Sequence, residues 1–172
     1  MPAVPAGAGR ARAIATADLR HSPPPRPVRK KINVVDPRGL RFAATITAVV
    51  LAVTLITGNA WVLLAQLAVF LIGAGAGVRN APYALVFRRL IRPRLGPPAS
   101  TEDAAPPRFA QAVGAVFAAA GVVGFLAGIP ALGYVATAFA FAAAFLNAAF
   151  EFCLGCQLYL FVRTVTARGA RA

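Results

Sequence analysis

The sequence predicts an all-α membrane protein with four transmembrane helices, arranged as two tandem hairpins. Two observations lead to this prediction. Four apolar stretches without an ionised residue are long enough to cross a bilayer, and every charged residue falls on one side of the pattern that they make. Composition agrees, because hydrophobic residues make up 59% of the 172 residues and charged residues only 13%, against about half and about a quarter in soluble domains.

The spans are predicted at residues 42–57, 60–78, 109–128 and 130–150. A hydrocarbon core about 30 Å thick requires about 20 helical residues, with about 17 as a workable lower limit. The first stretch is near that limit, and the other three meet it. Each pair is joined by a short, uncharged turn that contains glycine. The alternating pattern of membrane strands is absent, so the spans are predicted as helices.

Charge distribution predicts the orientation. Of the 18 Lys and Arg residues, nine lie at or before Arg41, six between Arg79 and Arg108, and three from Arg163 onward. By the positive-inside rule, both termini and the central loop are expected in the cytoplasm, and the protein in the cell membrane. The net charge of +13 also suits nucleic-acid binding, but membrane topology already accounts for it, so no nucleic-acid partner is expected.

Outside the spans, residues 1–34 form a basic tail rich in proline and alanine that is expected to be disordered. Residues 35–163 form the four-helix domain, and residues 164–172 a basic tail. The segment 82–92 places its apolar residues on one helical face, which predicts an interfacial helix along anionic lipid headgroups. The predicted headgroup contacts are Arg29, Lys30, Lys31, Arg88, Arg89 and Arg92.

The two predicted hairpins share a pattern that suggests internal duplication. Arg41-Phe42-Ala43 opens the first span and Arg108-Phe109-Ala110 the third, each after a proline-containing lead. Each hairpin also ends in a short apolar-basic segment. Two hairpins rich in Ala, Gly and Val can also look alike without common origin, so both explanations stay open.

The sharpest local motif is Cys153-Leu154-Gly155-Cys156, which contains the only cysteines of the chain. An unbroken helix from 130 to 162 would greatly exceed the bilayer core, so a break near Glu151 and an interfacial helix over 153–162 are predicted. The motif would then begin a helix, where a thiolate is stabilised and its pKa lowered. The spacing places both sulfurs on one face, close enough for a disulfide, which in the cytoplasm should be transient.

Other interpretations of these residues remain. Two packed thiols can be purely structural. Zinc would need two further ligands, for example from a symmetric dimer, so no metal site is predicted. Glu151 could act as a base for the thiols, raise their pKa by like-charge repulsion, or simply pair with an arginine.

Several segments together resemble a known family: residues 35–44, 82–98, 106–114 and 143–160. They are similar to the actinobacterial membrane family known as domain of unknown function 4395. The resemblance implies a topology rather than a reaction. It also implies thiol or sulfane-sulfur handling, because members are frequent genomic neighbours of thioredoxin-like and rhodanese-type proteins. The family's Cys-x-x-Cys corresponds to Cys153 and Cys156.

These observations lead to one principal hypothesis and two rivals. The principal one is a cytoplasm-facing dithiol that exchanges disulfides or sulfane sulfur with a thioredoxin-like or sulfurtransferase partner. A quinone could serve as a membrane acceptor, although no motif supports it and no cofactor is evident. The rivals are a non-enzymatic scaffold or assembly factor, and a small sulfur-anion permease, which would require a homo-oligomer.

Overall fold

The structure is a computed structural model that describes residues 34–98 and 100–169. Within them the chain is almost entirely helical. The α-helices are α1 (Pro37–Thr57), α2 (Ala60–Gly75), α3 (Pro82–Val86), α4 (Ala105–Leu126), α5 (Pro130–Phe150) and α6 (Leu154–Gly169). A 3₁₀ turn (Val78–Asn80) precedes α3, and a π-helical turn (Phe87–Ile91) and a second 3₁₀ turn (Arg92–Arg94) follow it.

Local sequence explains where the long helices begin and end. Asp36 caps α1 by accepting a 3.0 Å hydrogen bond from the Arg38 amide, and Pro37 occupies the first helical position. Asn59 caps α2 in the same way, 2.9 Å from the Trp61 amide. Gly58 ends α1 with φ +62°, a conformation that glycine adopts without a steric penalty.

Several helix bounds differ from the predicted spans. The predicted span 42–57 lies within α1, which begins earlier, at Pro37. The predicted span 109–128 starts within α4, which runs from Ala105 to Leu126. The predicted span 60–78 continues past the end of α2 at Gly75, and Gly77 has φ +93°. The interval 130–150 equals α5. The segment 82–92, predicted as one interfacial helix, consists of α3, the π-helical turn and the start of the second 3₁₀ turn. The segment 153–162, also predicted as an interfacial helix, forms part of α6, which begins at Leu154 and continues to Gly169.

The four longest apolar helices form an antiparallel arrangement in which each hairpin packs on the other. Between α2 and α4, close approaches join Gly73 with Gln111, Phe70 with Gly114, and Leu63 with Gly121. As the residue number falls on α2 it rises on α4, so these two helices are antiparallel over most of the length of α2. Helix α1 packs extensively on α5, and α4 also packs on α5.

The end of this bundle that contains the N-termini of α1 and α4 and the C-termini of α2 and α5 is here named the basic end. A two-stranded antiparallel pairing of β1 (Val34–Val35) with β2 (Glu102–Asp103) joins the leads into α1 and α4 there. The sequence does not predict this pairing, because strands of two residues are too short to show an alternating pattern.

Small residues let the helices approach closely at the opposite end. A Cβ atom on Gly124 of α4 would overlap the backbone of Gly133 on α5, so only glycine fits there. The core between the helices is apolar and includes Leu51, Leu63, Phe70, Ala118 and Val122. Many large apolar side chains point outward instead, among them Val49, Ile56, Leu71, Val116, Val123 and Phe139. An apolar exterior around a small-residue interior suits a lipid environment.

Three of the helices, α1, α4 and α5, are long and apolar enough to cross a membrane. Helix α2 is equally apolar but has 16 residues, which corresponds to about 24 Å at about 1.5 Å per residue. Residues 34–98 and 100–169 therefore form helices and their connections apart from the short β1–β2 pairing, and these helices fit a multi-pass membrane protein.

One buried polar cluster connects the bundle with α3. Gln66 of α2 is 1% exposed, and its Oε1 atom accepts a 2.9 Å hydrogen bond from the Tyr83 hydroxyl. Its Nε2 atom lies 3.5 Å from Thr47 Oγ1 on α1. A buried amide without partners is costly, so the Tyr83 hydroxyl is expected to hold α3 against the bundle.

We predict that Tyr83→Phe lowers the free energy of unfolding by about 1 kcal/mol, because Gln66 Oε1 loses its partner while the ring remains. Burial also raises the pKa of Tyr83. The unfolded chain therefore ionises at lower pH than the folded one, and wild type loses stability as the pH rises above about 10. The difference in the free energy of unfolding between wild type and Tyr83→Phe should therefore become smaller above about pH 10.

Unfolding in detergent, followed by circular dichroism from pH 7 to about 11, measures both effects. The matched control is Tyr134→Phe, since Tyr134 is 42% exposed and its ring packs edge-on against Phe125. Equal stability of the two variants would contradict this role of the Tyr83 hydroxyl.

Candidate functional site

The break between α5 and α6 places the cysteine pair at the basic end. Glu151 ends α5 in the left-handed region, with φ +57° and ψ +18°. Among the described residues it is the one non-glycine residue with positive φ. The Phe152 amide donates back to the Leu146 carbonyl at 3.3 Å, as at helix ends with a left-handed cap. The chain then turns and starts α6.

Arg41 stabilises this break from the neighbouring helix α1. Its guanidinium donates to the Glu151 carboxylate and, at 3.4 Å, to the Ala148 carbonyl near the end of α5. A cation at a helix C-terminus is favourable because unpaired carbonyls give that end a partial negative charge. Of the roles considered for Glu151, the structure therefore shows the arginine partner. A role as base for the thiols stays a prediction.

Arg108 does the same for the other hairpin. Its Nε and Nη2 atoms donate to the Ala74 and Gly75 carbonyls at 2.6 and 2.8 Å, at the C-terminus of α2. Arg41 and Arg108 are the first residues of the two Arg-Phe-Ala motifs. Each binds the end of the second long helix of the other hairpin, and this equivalence favours internal duplication. From the sequence, both arginines contribute only to the charge distribution that predicts the topology; their hydrogen bonds to helix C-termini were not predicted.

Cys153 occupies the N-cap position of α6. The Gln157 amide donates to the Cys153 carbonyl at 3.1 Å, and the Cys156 amide donates to Cys153 Sγ at 3.3 Å. The two sulfurs lie within disulfide-bonding distance, with their Cα atoms 5.2 Å apart. The sulfur of Cys153 thus takes the place that a serine or threonine oxygen takes in an ordinary N-cap.

The middle of the motif holds α6 against α4. A Cβ atom on Gly155 would lie 2.5 Å from Ala110 Cβ and 2.7 Å from its Cα, so the helices nearly touch at this point. One turn further along α6, the Tyr159 ring packs against Phe109 with ring centroids 5.7 Å apart. These contacts fix the start of α6, and with it both sulfurs, relative to the bundle.

A cavity of about 1080 Å³ opens beside the cysteine pair. Near the basic end it is lined by polar groups, including both cysteines, Glu151 and Arg88. Deeper in the bundle it is lined by apolar side chains, including Phe139. Asn147 lies between these levels, on the last turn of α5. This volume is at or above the upper end of the range usual for small-molecule sites.

The remaining predicted site residues are distributed as follows. Arg88, Arg89 and Arg92 are exposed in the π and 3₁₀ turns, and Arg88 donates to the Arg79 carbonyl at 3.4 Å. Arg29, Lys30 and Lys31 lie outside the described residues, as does the tail 1–34 except for Val34. Their predicted contacts with lipid headgroups stay predictions.

A metal site gains no support from the side chains. Residues 34–98 and 100–169 contain no group of three or more His, Cys, Asp or Glu residues that could hold an ion. Two thiolates alone do not complete the tetrahedral shell that zinc prefers.

Comparison with known proteins identifies the family. The model described as "Domain of unknown function (DUF4395)" matches residues 35–164, about three quarters of the chain. The chain belongs to this family. No curated protein and no solved structure matches the chain significantly. The family match covers the bundle, both Arg-Phe-Ala motifs and the cysteine pair, but its description assigns no activity.

We predict that Gly155→Ala displaces the start of α6, because the added methyl group would overlap the Ala110 backbone. Overpacking of this kind costs about 1–3 kcal/mol. Thermal unfolding should therefore occur at lower temperature, and the reduced cysteines should be alkylated faster than in wild type.

The matched control is Gly169→Ala at the far end of the same helix, where a Cβ atom would meet nothing within 4 Å. If both variants unfold and react alike, the contact with Ala110 does not position the cysteine pair.

Proposed function

We propose that the protein is a four-span membrane protein whose Cys153–Cys156 pair exchanges disulfides with a soluble thioredoxin-like partner at the cytoplasmic face. The observation that carries this proposal is the Cys156 amide donating to Cys153 Sγ at the start of α6. The family match supports the choice of segment, because it includes the motif.

The proposed fourth span is α2. Its contacts with α4 run from Gly73–Gln111 to Leu63–Gly121, so it accompanies a helix long enough to cross the membrane. About 24 Å is short for a span, but local thinning of the bilayer accommodates such a mismatch at modest cost. With α2 crossing, all Lys and Arg residues fall on one side, as the positive-inside rule requires.

The geometry supports different proposed roles for the two sulfurs. A Cys153 thiolate would accept the Cys156 amide hydrogen bond and face the positive end of the α6 dipole, which lowers a thiol pKa. Cys153 is therefore the proposed nucleophile. Its thiolate attacks one sulfur of the partner's disulfide, and the other partner sulfur leaves as a thiolate. The Cys156 thiolate then attacks Cys153 Sγ, which forms the intramolecular disulfide and releases the partner as a dithiol once protons are taken up.

Charge and exposure also suit exchange with a protein. Cys153 and Cys156 are partly exposed, and Arg88, Arg89 and Arg92 are exposed at the same end of the bundle. Glu151 is engaged by Arg41, which offsets its like-charge effect on a thiolate nearby. A rhodanese-type partner would react with the same Cys153 thiolate. The thiolate would attack the outer sulfur of the partner's persulfide, the partner's S–S bond would break, and the partner's cysteine would leave as a thiolate while Cys153 becomes the persulfide.

The proposed topology predicts opposite sidedness for two positions in a Cys153→Ser/Cys156→Ser background. Thr57→Cys, at the end of α1, should react with a membrane-impermeant maleimide in intact cells. Thr101→Cys, between the two hairpins, should react only after the membrane is opened. Both native side chains are exposed. Equal labelling of the two positions in intact cells would mean that α2 does not cross.

The proposed chemistry predicts that Cys156→Ser forms a stable mixed disulfide with an oxidised thioredoxin-like protein, because no second thiol resolves it. The matched variant Cys153→Ser, which lacks the proposed nucleophile, should form much less of this mixed disulfide. In Cys156→Ser, alkylation across pH should give Cys153 a pKa below the ordinary value of about 8.5. No mixed disulfide together with an ordinary pKa would favour the scaffold hypothesis.

A further inference from the structure

We infer that the cavity beside the cysteine pair binds a quinone, which accepts the two electrons and two protons of the reduced Cys153–Cys156 dithiol. This inference rests on the proposed function, with the exchange running in the reverse direction. A reduced thioredoxin-like dithiol reduces the Cys153–Cys156 disulfide through the same mixed disulfide and leaves as a disulfide, and the quinone then re-oxidises the pair. It adds a site and a substrate class. The observation behind it is one cavity whose lining includes both cysteines and the apolar residues Phe70, Phe117 and Phe139.

The depth of the cavity places its inner part within the bundle. Phe139 lies two helical turns before Asn147 on α5, about 12 Å further from the basic end at about 1.5 Å per residue. Phe139 packs against Phe117 of α4 with ring centroids 5.9 Å apart, and both rings line the cavity. Their positions lie well inside helices long enough to span a bilayer.

The cavity also adjoins the outer surface of the bundle. Phe139 lines the cavity and is 61% exposed, so at this level the cavity wall includes an aromatic side chain that the core of the bundle does not enclose. A lipid-soluble molecule could pass at this point by a change of a side-chain rotamer. A water-soluble ligand would instead arrive at the polar basic end, where the cysteine pair is already accessible.

The polar lining suits a neutral ring with carbonyl groups. Asn147 and Gln111 both line the cavity. The N–H groups of a side-chain amide can donate to quinone oxygens without requiring a charge on the ligand. The apolar part would hold the ring edge and the first portion of a hydrocarbon tail. A volume of about 1080 Å³ is sufficient for both.

The reaction balances without a further reactant. One cysteine thiolate adds to a quinone ring carbon, forming a C–S bond and an enolate oxygen. The second thiolate attacks the bonded sulfur, the S–S bond forms, and the C–S bond breaks with its electron pair staying on the ring. Two protons, equal to those of the original thiols, complete the hydroquinone. The dithiol is oxidised to the disulfide, and the quinone is reduced by two electrons.

The test uses reduced full-length protein in nanodiscs without oxygen, mixed with a benzoquinone or naphthoquinone that carries a decyl chain. Quinone absorbance gives the rate, and mass spectrometry distinguishes a disulfide from a stable quinone adduct. The decisive pair of variants is Ala143→Phe, which fills the cavity, and Ala142→Phe, which makes the same change at an exposed position one residue away.

We expect rapid oxidation of wild type and of Ala142→Phe, with the intramolecular disulfide as product. Ala143→Phe should react at least about tenfold more slowly, while its reduced thiols are alkylated as in wild type. Asn147→Leu, which removes the amide and keeps the volume, should slow the quinone reaction in the same direction. Normal alkylation in these variants shows that the cysteine site is still folded.

Three results would overturn the inference: equal rates for Ala143→Phe and wild type, a stable adduct as the main product, or no quinone reaction. If Cys156→Ser then still forms the mixed disulfide with a thioredoxin-like protein, the proposed function stands without the quinone site. If neither quinone nor protein reacts with Cys153, the proposed function fails as well.

Discussion

The carbonyl groups at the C-termini of α2 and α5 impose the constraint on which the basic end of the bundle depends. Both helices are apolar along their length and lack a basic residue in their last turn. Their terminal carbonyls must therefore find donors elsewhere, since unpaired polar groups in an apolar setting are costly. Arg108 supplies these donors to α2, and Arg41 to α5.

This exchange of arginines between hairpins also explains how the bundle is assembled. Each arginine lies near the start of a long helix of one hairpin and donates to the C-terminal carbonyls of a long helix of the other, so neither hairpin is complete by itself. The aromatic residue after each arginine continues the correspondence. Phe42 packs against Phe87, just after α3, and Phe109 packs against Tyr159 of α6. The segments that follow α2 and α5 are thus held by equivalent positions, in agreement with a duplicated two-helix unit.

The two halves differ where the chemistry is proposed. After α2, the chain passes through Gly77 and forms α3, where the Tyr83 hydroxyl contributes a buried hydrogen bond to Gln66. After α5, Glu151 takes the left-handed conformation and α6 begins with Cys153 at its N-cap. A non-glycine residue in that conformation is unfavourable and persists only where surrounding contacts determine it, here through the pair with Arg41. The segment after α5 thus differs from the segment after α2, because it carries a pair of cysteines that line a cavity.

The sequence by itself determined the all-helical class, the family and the approximate location of each long helix, because hydropathy and helix-terminating residues act locally. The break near Glu151 and the closeness of the two sulfurs also followed from length limits and three-residue spacing. The starts of α1 and α4 lie before the predicted spans, because prolines and caps extend helices into polar sequence.

Only the tertiary structure decided which helices pack together, that Arg41 and Arg108 bind helix ends in the other hairpin, and that a cavity adjoins Cys153 and Cys156. These features join residues far apart in the chain: Arg41 and Glu151, for example, are 110 positions apart. No local pattern encodes such a pairing, because it depends on how whole helices pack, and many apolar sequences present similar faces to one another.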